Sequence, residues 1–186
     1  MFGSARGDPG GDEGIDGRFA AQADVGIGAT IMGRDDHGTQ HVRADPGPWP
    51  DVQWKGCWGD EPPYHHQVFV LTHHPRASFA MRGGTTFHFV SDADPNRVLG
   101  RALDAAGGRD VKIAGGPSRV QQFMRAGLTD ELHLAVVPAL LGRGQRFFDH
   151  LAVPVGYECV EFVGSPAALH VRLARVRDPG REPTAG

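Results

Sequence analysis

The stretch Val111 to Asp149, VKIAGGPSRVQQFMRAGLTDELHLAVVPALLGRGQRFFD, constrains the fold most, because signals for strand, turn, helix and strand follow one another without a gap. Val111 to Ala114 is a short apolar run closing on Gly115-Gly116, and the fixed φ of Pro117 suits the first turn of a helix. Val120, Phe123 and Met124 recur at the i, i+3, i+4 spacing of one buried helical face, and Gly127 supplies the permissive φ that ends it. Asp130-Glu131 then marks the entry to a second strand. A helix beginning at the end of a strand presents unpaired N–H groups and a positive dipole end, and glycines let an anion approach the backbone. A diglycine turn serves equally as a tight connection with no ligand, so the residues alone leave both readings open.

With 186 residues the chain suits a single domain. Its 19 basic and 22 acidic residues give a formal charge of −3, which provides no electrostatic footprint for nucleic acid or an anionic membrane surface. The partner expected is a small-molecule substrate. Cys57 and Cys159 form no CxxC pair, so neither a disulfide framework nor a thiolate metal site is expected, and no metal is assigned. His65-His66 and His73-His74 lack the companion ligands that zinc requires. No apolar run reaches the ~18 residues of a membrane span, and the amino terminus has no apolar signal core. A cytoplasmic location is expected.

Thirteen of the 27 glycines and six of the 14 prolines fall in the first 64 residues, so the front of the chain is loop-rich. Residues 1–14 read as a disordered or truncated amino terminus, 15–177 as the domain and 178–186 as a frayed tail. Ile15 to Asp24 predicts a short helix and Ala29 to Met32 a strand ending at Gly33-Arg34. Asp35 to Gln67 is a long connection, with Trp49, Trp54, Trp58 and Tyr64 expected to pin it to the domain. Val68 to Leu71 and Thr86 to Val90 predict buried strands. Asp94-Pro95 caps a helix with Val98, Leu99, Ala102, Leu103 and Ala106 on one face, stopped by Gly107-Gly108. Strands alternating with helices predict a mainly parallel sheet, while Tyr157 to Val163 and Ala168 to Val176 flank a Gly164-Ser165-Pro166 turn and predict an antiparallel hairpin.

The run IAGGPSRVQQFMRAGLTDELHLAVVPALLGRGQRFF resembles the carboxyl-terminal signature of the dihydrofolate reductase-like family typified by the reductase domain of the bifunctional riboflavin-biosynthesis deaminase-reductase. The shared elements are the glycine turn, Gly127 to Leu132, Pro138, Leu141-Gly142, Gly144 and Phe147-Phe148. Ile31 to Arg34 resembles the family's strand and Gly-Arg turn, and Val68 to Arg76 its next strand and nucleotide-binding loop. The aromatic loop is more like that of the small stand-alone members. The resemblance implies a three-layer α/β fold, with a mixed, mainly parallel sheet, helices on both faces and a carboxyl-terminal antiparallel hairpin. It also implies a homodimer.

In function it implies an NADPH-dependent reductase passing hydride to a heterocyclic or carbonyl substrate, of the 5-amino-6-(5-phosphoribosylamino)uracil reductase type. Carried over position by position, Gly115, Gly116, Pro117 and Ser118 match the turn that approaches the pyrophosphate, and Gly33 and Arg34 match a second phosphate turn. Thr72, His73 and Arg76 match the loop that meets the adenosine 2′-phosphate, and Ser91 matches a contact to adenine. Bland readings stand beside these: Arg34 and Arg76 as solvated charges, Ser91-Asp92 as a turn, Asp94 as a cap.

Three departures accompany the resemblance. The family's first, central strand has no counterpart in MFGSARGDPGGDEG, which implies either a start further upstream or a domain exposing unpaired backbone where that strand sits. Asp35-Asp36 follows the Gly-Arg turn directly, and Ala114 replaces a glycine. The family's proton donor belongs to the absent segment, and Asp12, Glu13 and Asp16 are the nearest acidic substitutes, so no catalytic residue is assigned. The residues contain no H-x-E or P-C-x-x-C deaminase motif. An NADP-binding protein without turnover and an inactive truncated copy are the alternatives.

Overall fold

Four apolar runs lie side by side in parallel and set the frame of the molecule. The computed structural model describes residues 14–34, 59–91, 94–140, 142, 144, 146–149, 151 and 156–176. Strands β1 (Ile27–Gly33), β2 (Gln67–Leu71), β4 (Thr86–Val90) and β5 (Asp110–Ala114) pair in parallel, and the two-residue β3 (Phe79–Ala80) adds an antiparallel edge. The order across this sheet is β3-β4-β2-β1-β5. Strand β3 has no counterpart in the sequence expectations, because two residues carry no readable period.

The period of two along each strand sends alternate residues into two cores. Ala29, Ile31, Phe69, Leu71 and Val90 meet Val98, Ala102 and Ala106 of α2 (Pro95–Ala106) and Phe123 of α3 (Pro117–Arg125). On the opposite face Met32, Val68, Val70, Phe87 and Phe89 are covered by Tyr64, Phe79 and Met81. Each fully buried Val, Leu, Ile, Phe or Met among them stabilises the fold by about 1.5–3 kcal/mol. Tyr64 thus pins its end of the long connection, edge-on to Phe87 at 6.3 Å between ring centroids. The three tryptophans, Asp35-Asp36, Cys57 and the terminal segments 1–13 and 177–186 lie outside the described residues.

Both long helices end as their residues dictate. The Asp94 carboxylate accepts from the Asn96 amide at 2.9 Å, Pro95 occupies the first turn, and Gly107 closes α2 in the left-handed region at φ 61°. Leu103, expected on the buried face, is 50 % exposed, because the stripe that meets the sheet is narrowed to Val98, Ala102 and Ala106. Helix α3 runs from Pro117, and the Gly127 amide, at φ 69°, donates to the Met124 carbonyl.

The remaining strands form a separate antiparallel sheet, β6 (Glu131–Val136), β7 (Tyr157–Gly164) and β8 (Leu169–Arg175), in the order β6-β8-β7. The expected hairpin is β7-β8, with a register shift between Cys159 and Glu161. Leu132 of β6 faces Val120 and Met124 of α3. Its neighbour His133 faces the other way, with its ring 4.9 Å from Phe19 of α1 (Ile15–Gln22). Helices therefore cover both faces, α3 on one and α1 on the other. Among the described residues β5 pairs only with β1, and β6 only with β8. Among the described residues the strands thus form two sheets rather than one.

Candidate functional site

Because β1, β2, β4 and β5 are parallel, their carboxyl ends lie together, at the end of an open α/β sheet where ligands are usually held. Gly33 is in register with Leu71, Leu71 with Val90, and Met32 with Ala114. The residues that follow, Arg34, Thr72, Ser91 and Gly115, emerge side by side from this end. The structure thus brings together Gly33, Arg34, Thr72, Ser91 and the Gly115-Gly116-Pro117-Ser118 turn, residues up to 85 positions apart in sequence.

The turn into α3 is built differently from the turn into α2. Gly115 and Gly116 both have positive φ, 34° and 64°, which a Cβ would strain. Asp94 fills the N-terminus of α2 with a carboxylate, whereas the N-cap of α3 is Gly116, which has no side chain to offer. The positive end of the α3 dipole suits an anion.

Beside this turn the end of β4 is arginine-rich. Phe89, Val90, Ser91, Arg97 and Arg101 line a shallow depression of about 400 Å³. Arg101 reaches back over Phe69, 5.7 Å from its ring centroid. Arg76 lies 5.4 Å from the centroids of both Phe79 and Phe89 and is only partly exposed, so it is held by two rings rather than extended as a solvated charge. Thr72 is buried and its hydroxyl accepts from the His74 amide at 3.1 Å, so its side chain shapes the loop. His73 is exposed at the tip. Sequence reasoning missed Arg97 and Arg101, although their i, i+4 spacing on a helix starting just after Ser91 is the signal that finds them.

A second polar cluster lies on the α1 side. The Asp16 carboxylate accepts from Nε2 of the buried His170 at 2.6 Å, while His170 Nδ1 is 3.1 Å from His133 Nε2. With neutral rings only one proton arrangement fits: His170 donates to Asp16 and accepts from His133. Ser165 also donates to Asp16, at 2.7 Å, and the Phe19 ring stacks 4.1 Å from that of His170. Hydrogen bonds from His170, then from Ser165, hold the Asp16 carboxyl below the ordinary value. Burial, followed by the neighbouring His170, lowers the pKa of His133. Asp16, named from sequence only as a nearby acid, is therefore tied to β8 rather than placed beside the glycine turn. Among the described residues no three of His, Cys, Asp and Glu are grouped to hold a metal ion. No helix among them is long and apolar enough to cross a membrane.

A mainly parallel sheet, a second, antiparallel sheet that contains the carboxyl-terminal hairpin, helices packed on both sheets and a glycine turn at the strand ends define an α/β domain of the dihydrofolate reductase-like class. The chain belongs to the RibD C-terminal domain family, whose model matches residues 25–180. Among solved structures it is similar to a putative riboflavin biosynthesis protein from Shewanella sp. PV-4, with 20% identity, a TM-score of 0.60 and coverage of 89% of this chain and 82% of that one. A pyrimidine reductase-like protein from Corynebacterium diphtheriae has 15% identity and a TM-score of 0.55 over 90% of this chain and 83% of its own. The diaminohydroxyphosphoribosylaminopyrimidine deaminase/5-amino-6-(5-phosphoribosylamino)uracil reductase of Thermotoga maritima has 16% identity and a TM-score of 0.51, covering 90% of this chain but 51% of that one. At these identities the likeness is one of fold. No curated protein sequence matches significantly.

Proposed function

We propose that this chain is an NADPH-dependent reductase of the riboflavin-biosynthesis type, acting on a heterocyclic or carbonyl substrate related to 5-amino-6-(5-phosphoribosylamino)uracil. The observation that carries this reading is the α3 N-terminus, with glycine as its N-cap and entered through two positive-φ glycines, in one row with Gly33, Arg34, Thr72 and Ser91. Gly115, Gly116 and Ser118 would hold the pyrophosphate by backbone N–H groups, with Pro117 fixing the first turn of α3 and Arg34 beside it. Arg76, His73 and Ser91, joined by Arg97 and Arg101, surround the end of β4, where three guanidinium groups suit the extra 2′-phosphate that separates NADPH from NADH. When bound, NADPH supplies the hydride. The protein's part is to orient the cofactor and to neutralise its phosphates. The exposed Val136, Val137, Leu140 and Phe148 support the expectation of a homodimer.

A second reading, NADP binding without turnover, is favoured by one observation. Among the described residues β5 and β6 are edge strands, on the side where the family's substrate half is expected. Titrating the chain with NADPH and with NADH, followed by cofactor fluorescence and thermal midpoint, tests the cofactor claim, and offering pyrimidine, pterin and quinone acceptors then separates the two readings. Arg76→Ala is expected to weaken NADPH about tenfold or more and NADH little. Equal losses would remove Arg76 from the 2′-phosphate site, and no response to either cofactor would overturn the reductase reading.

A further inference from the structure

The order of the strands gives the cofactor of the proposed reaction a direction. Arg76, Arg97 and Arg101 gather at the end of β4, and the glycine turn leads from β5 into α3, with β2 and β1 between these two places. With the 2′-phosphate at the first and the pyrophosphate at the second, the nicotinamide half extends past β5, away from β4. Strand β6 lies on that side, because Ile113 of β5 and Leu134 of β6 pack against one cluster and the charge of Lys112 acts on His133.

His133 ends a hydrogen-bonded chain. Its Nε2 donates to Nδ1 of His170 at 3.1 Å, and Nε2 of His170 donates to the Asp16 carboxylate at 2.6 Å. Phe19 stacks against both rings, at 4.9 and 4.1 Å between centroids, and so fixes their planes. His170 is buried, whereas His133 is exposed among the described residues. With Nε2 committed to His170, Nδ1 of His133 is the atom left to take up and release a proton.

We propose that His133 is the proton donor of the reduction, with His170 and Asp16 as its positioning residues, an inference that rests on the reductase reading. Protonated on both nitrogens, His133 gives its Nδ1 proton to the oxygen or nitrogen of a C=O or C=N group as the hydride of NADPH reaches the carbon. The π bond of that group and the Nδ1–H bond break, a C–H bond and an O–H or N–H bond form, and the ring is left neutral beside NADP+. Water returns the proton once product has left. The charge of Asp16, passed through His170, stabilises the imidazolium and holds the ring in the required orientation. The other charges around His133 are Arg18 of α1 and Arg172 of β8, paired with Glu161 of β7 and Glu131 of β6, and Lys112 of β5, paired with Asp24. Each of these cations is offset by a carboxylate.

The test uses the full chain and two readouts. Ring NMR of the cofactor-free protein follows the titration of His133 in wild type and in Asp16→Asn, which keeps an acceptor for His170 but not the charge, and the expected result is a His133 pKa lower by about half a unit or more in the variant. Oxidation of NADPH with 5-amino-6-(5-phosphoribosylamino)uracil is expected to fall as pH rises through the His133 pKa found by NMR, and the break to move by the same amount in Asp16→Asn. His133→Gln is expected to bind NADPH within about twofold of wild type and to lose about a hundredfold or more of turnover below the break. Full turnover in His133→Gln, or a break that does not follow the His133 titration, overturns the donor role and leaves the reductase reading standing. An unchanged His133 pKa in Asp16→Asn overturns the positioning role whether or not turnover is seen. Wild type that binds NADPH but oxidises it with neither this acceptor nor the others overturns the donor role together with the reductase reading.

Discussion

Asp16 on α1 and His170 on β8 meet at 2.6 Å across 154 positions of sequence, and this contact ties the amino-terminal helix to the carboxyl-terminal hairpin. Hydrogen bonds from His170 and then Ser165 favour the carboxylate, so the folded pKa of Asp16 lies below the ordinary aspartate value. A carboxyl depressed on folding contributes stability that is present above its unfolded pKa and lost as pH falls through the folded one. Asp16→Asn is therefore expected to lower the thermal midpoint at pH 7, and the difference from wild type to close as the pH is taken below about 4. Midpoints of both proteins across the acid range check this. A difference independent of pH would show that the contact works through packing alone.

His66 titrates in the other sense relative to its charge. Its Nε2 lies 2.8 Å from the buried Thr30 hydroxyl, and burial, opposed by Asp24, lowers its pKa from 6.5. The neutral ring is favoured on folding, so its stabilisation is complete above about 6.5 and is lost as pH falls below that value. Burial also lowers the pKa of His88 and His133, which adds to the same slope. His66→Gln keeps a side-chain amide near Thr30 and does not titrate. The expected result is a shallower fall in thermal midpoint between pH 7 and pH 5 than in wild type, and an unchanged slope would clear His66 of the effect.

Gly28 marks the closest approach of α2 to the sheet. A Cβ at this position would lie 2.5 Å from the Ala106 carbonyl oxygen and 2.8 Å from its Cα, which are backbone atoms that move only with the helix. Gly28→Ala is expected to cost about 1–3 kcal/mol, toward the upper end, by displacing α2 from β1. Urea unfolding measures it, and a loss below about 0.5 kcal/mol would mean that the helix shifts freely.

What was legible in the sequence was local. Asp94, Pro95 and Gly107 bound α2 by caps and fixed dihedrals, and Pro117 with Gly127 bounds α3, because such signals act within one turn of chain. Leu103 was misjudged because a helical period gives a stripe but not the width of the sheet it meets. The glycine turn was legible as an anion-ready helix start. Its alignment with Gly33, Thr72 and Ser91 depended on parallel register, which no local pattern specifies. The Asp16–His170–His133 chain was illegible for the same reason, since its members come from α1, β8 and β6 and meet only after the second sheet forms. The separation of the described strands into two sheets was not legible in composition or period, because it depends on which strands pair.

The central claim is that NADPH lies across the carboxyl ends of the parallel strands with its pyrophosphate at α3. Amide hydrogen exchange of the full chain with and without saturating NADPH tests this most directly, because bound backbone donors lose contact with water. The account predicts slowed exchange at Gly33-Arg34, Thr72 to His74, Ser91 and Gly115 to Ser118, with the Gly115 to Ser118 effect weakened in Gly116→Val. Saturable binding that protects other segments and leaves Gly115 to Ser118 unchanged would contradict it.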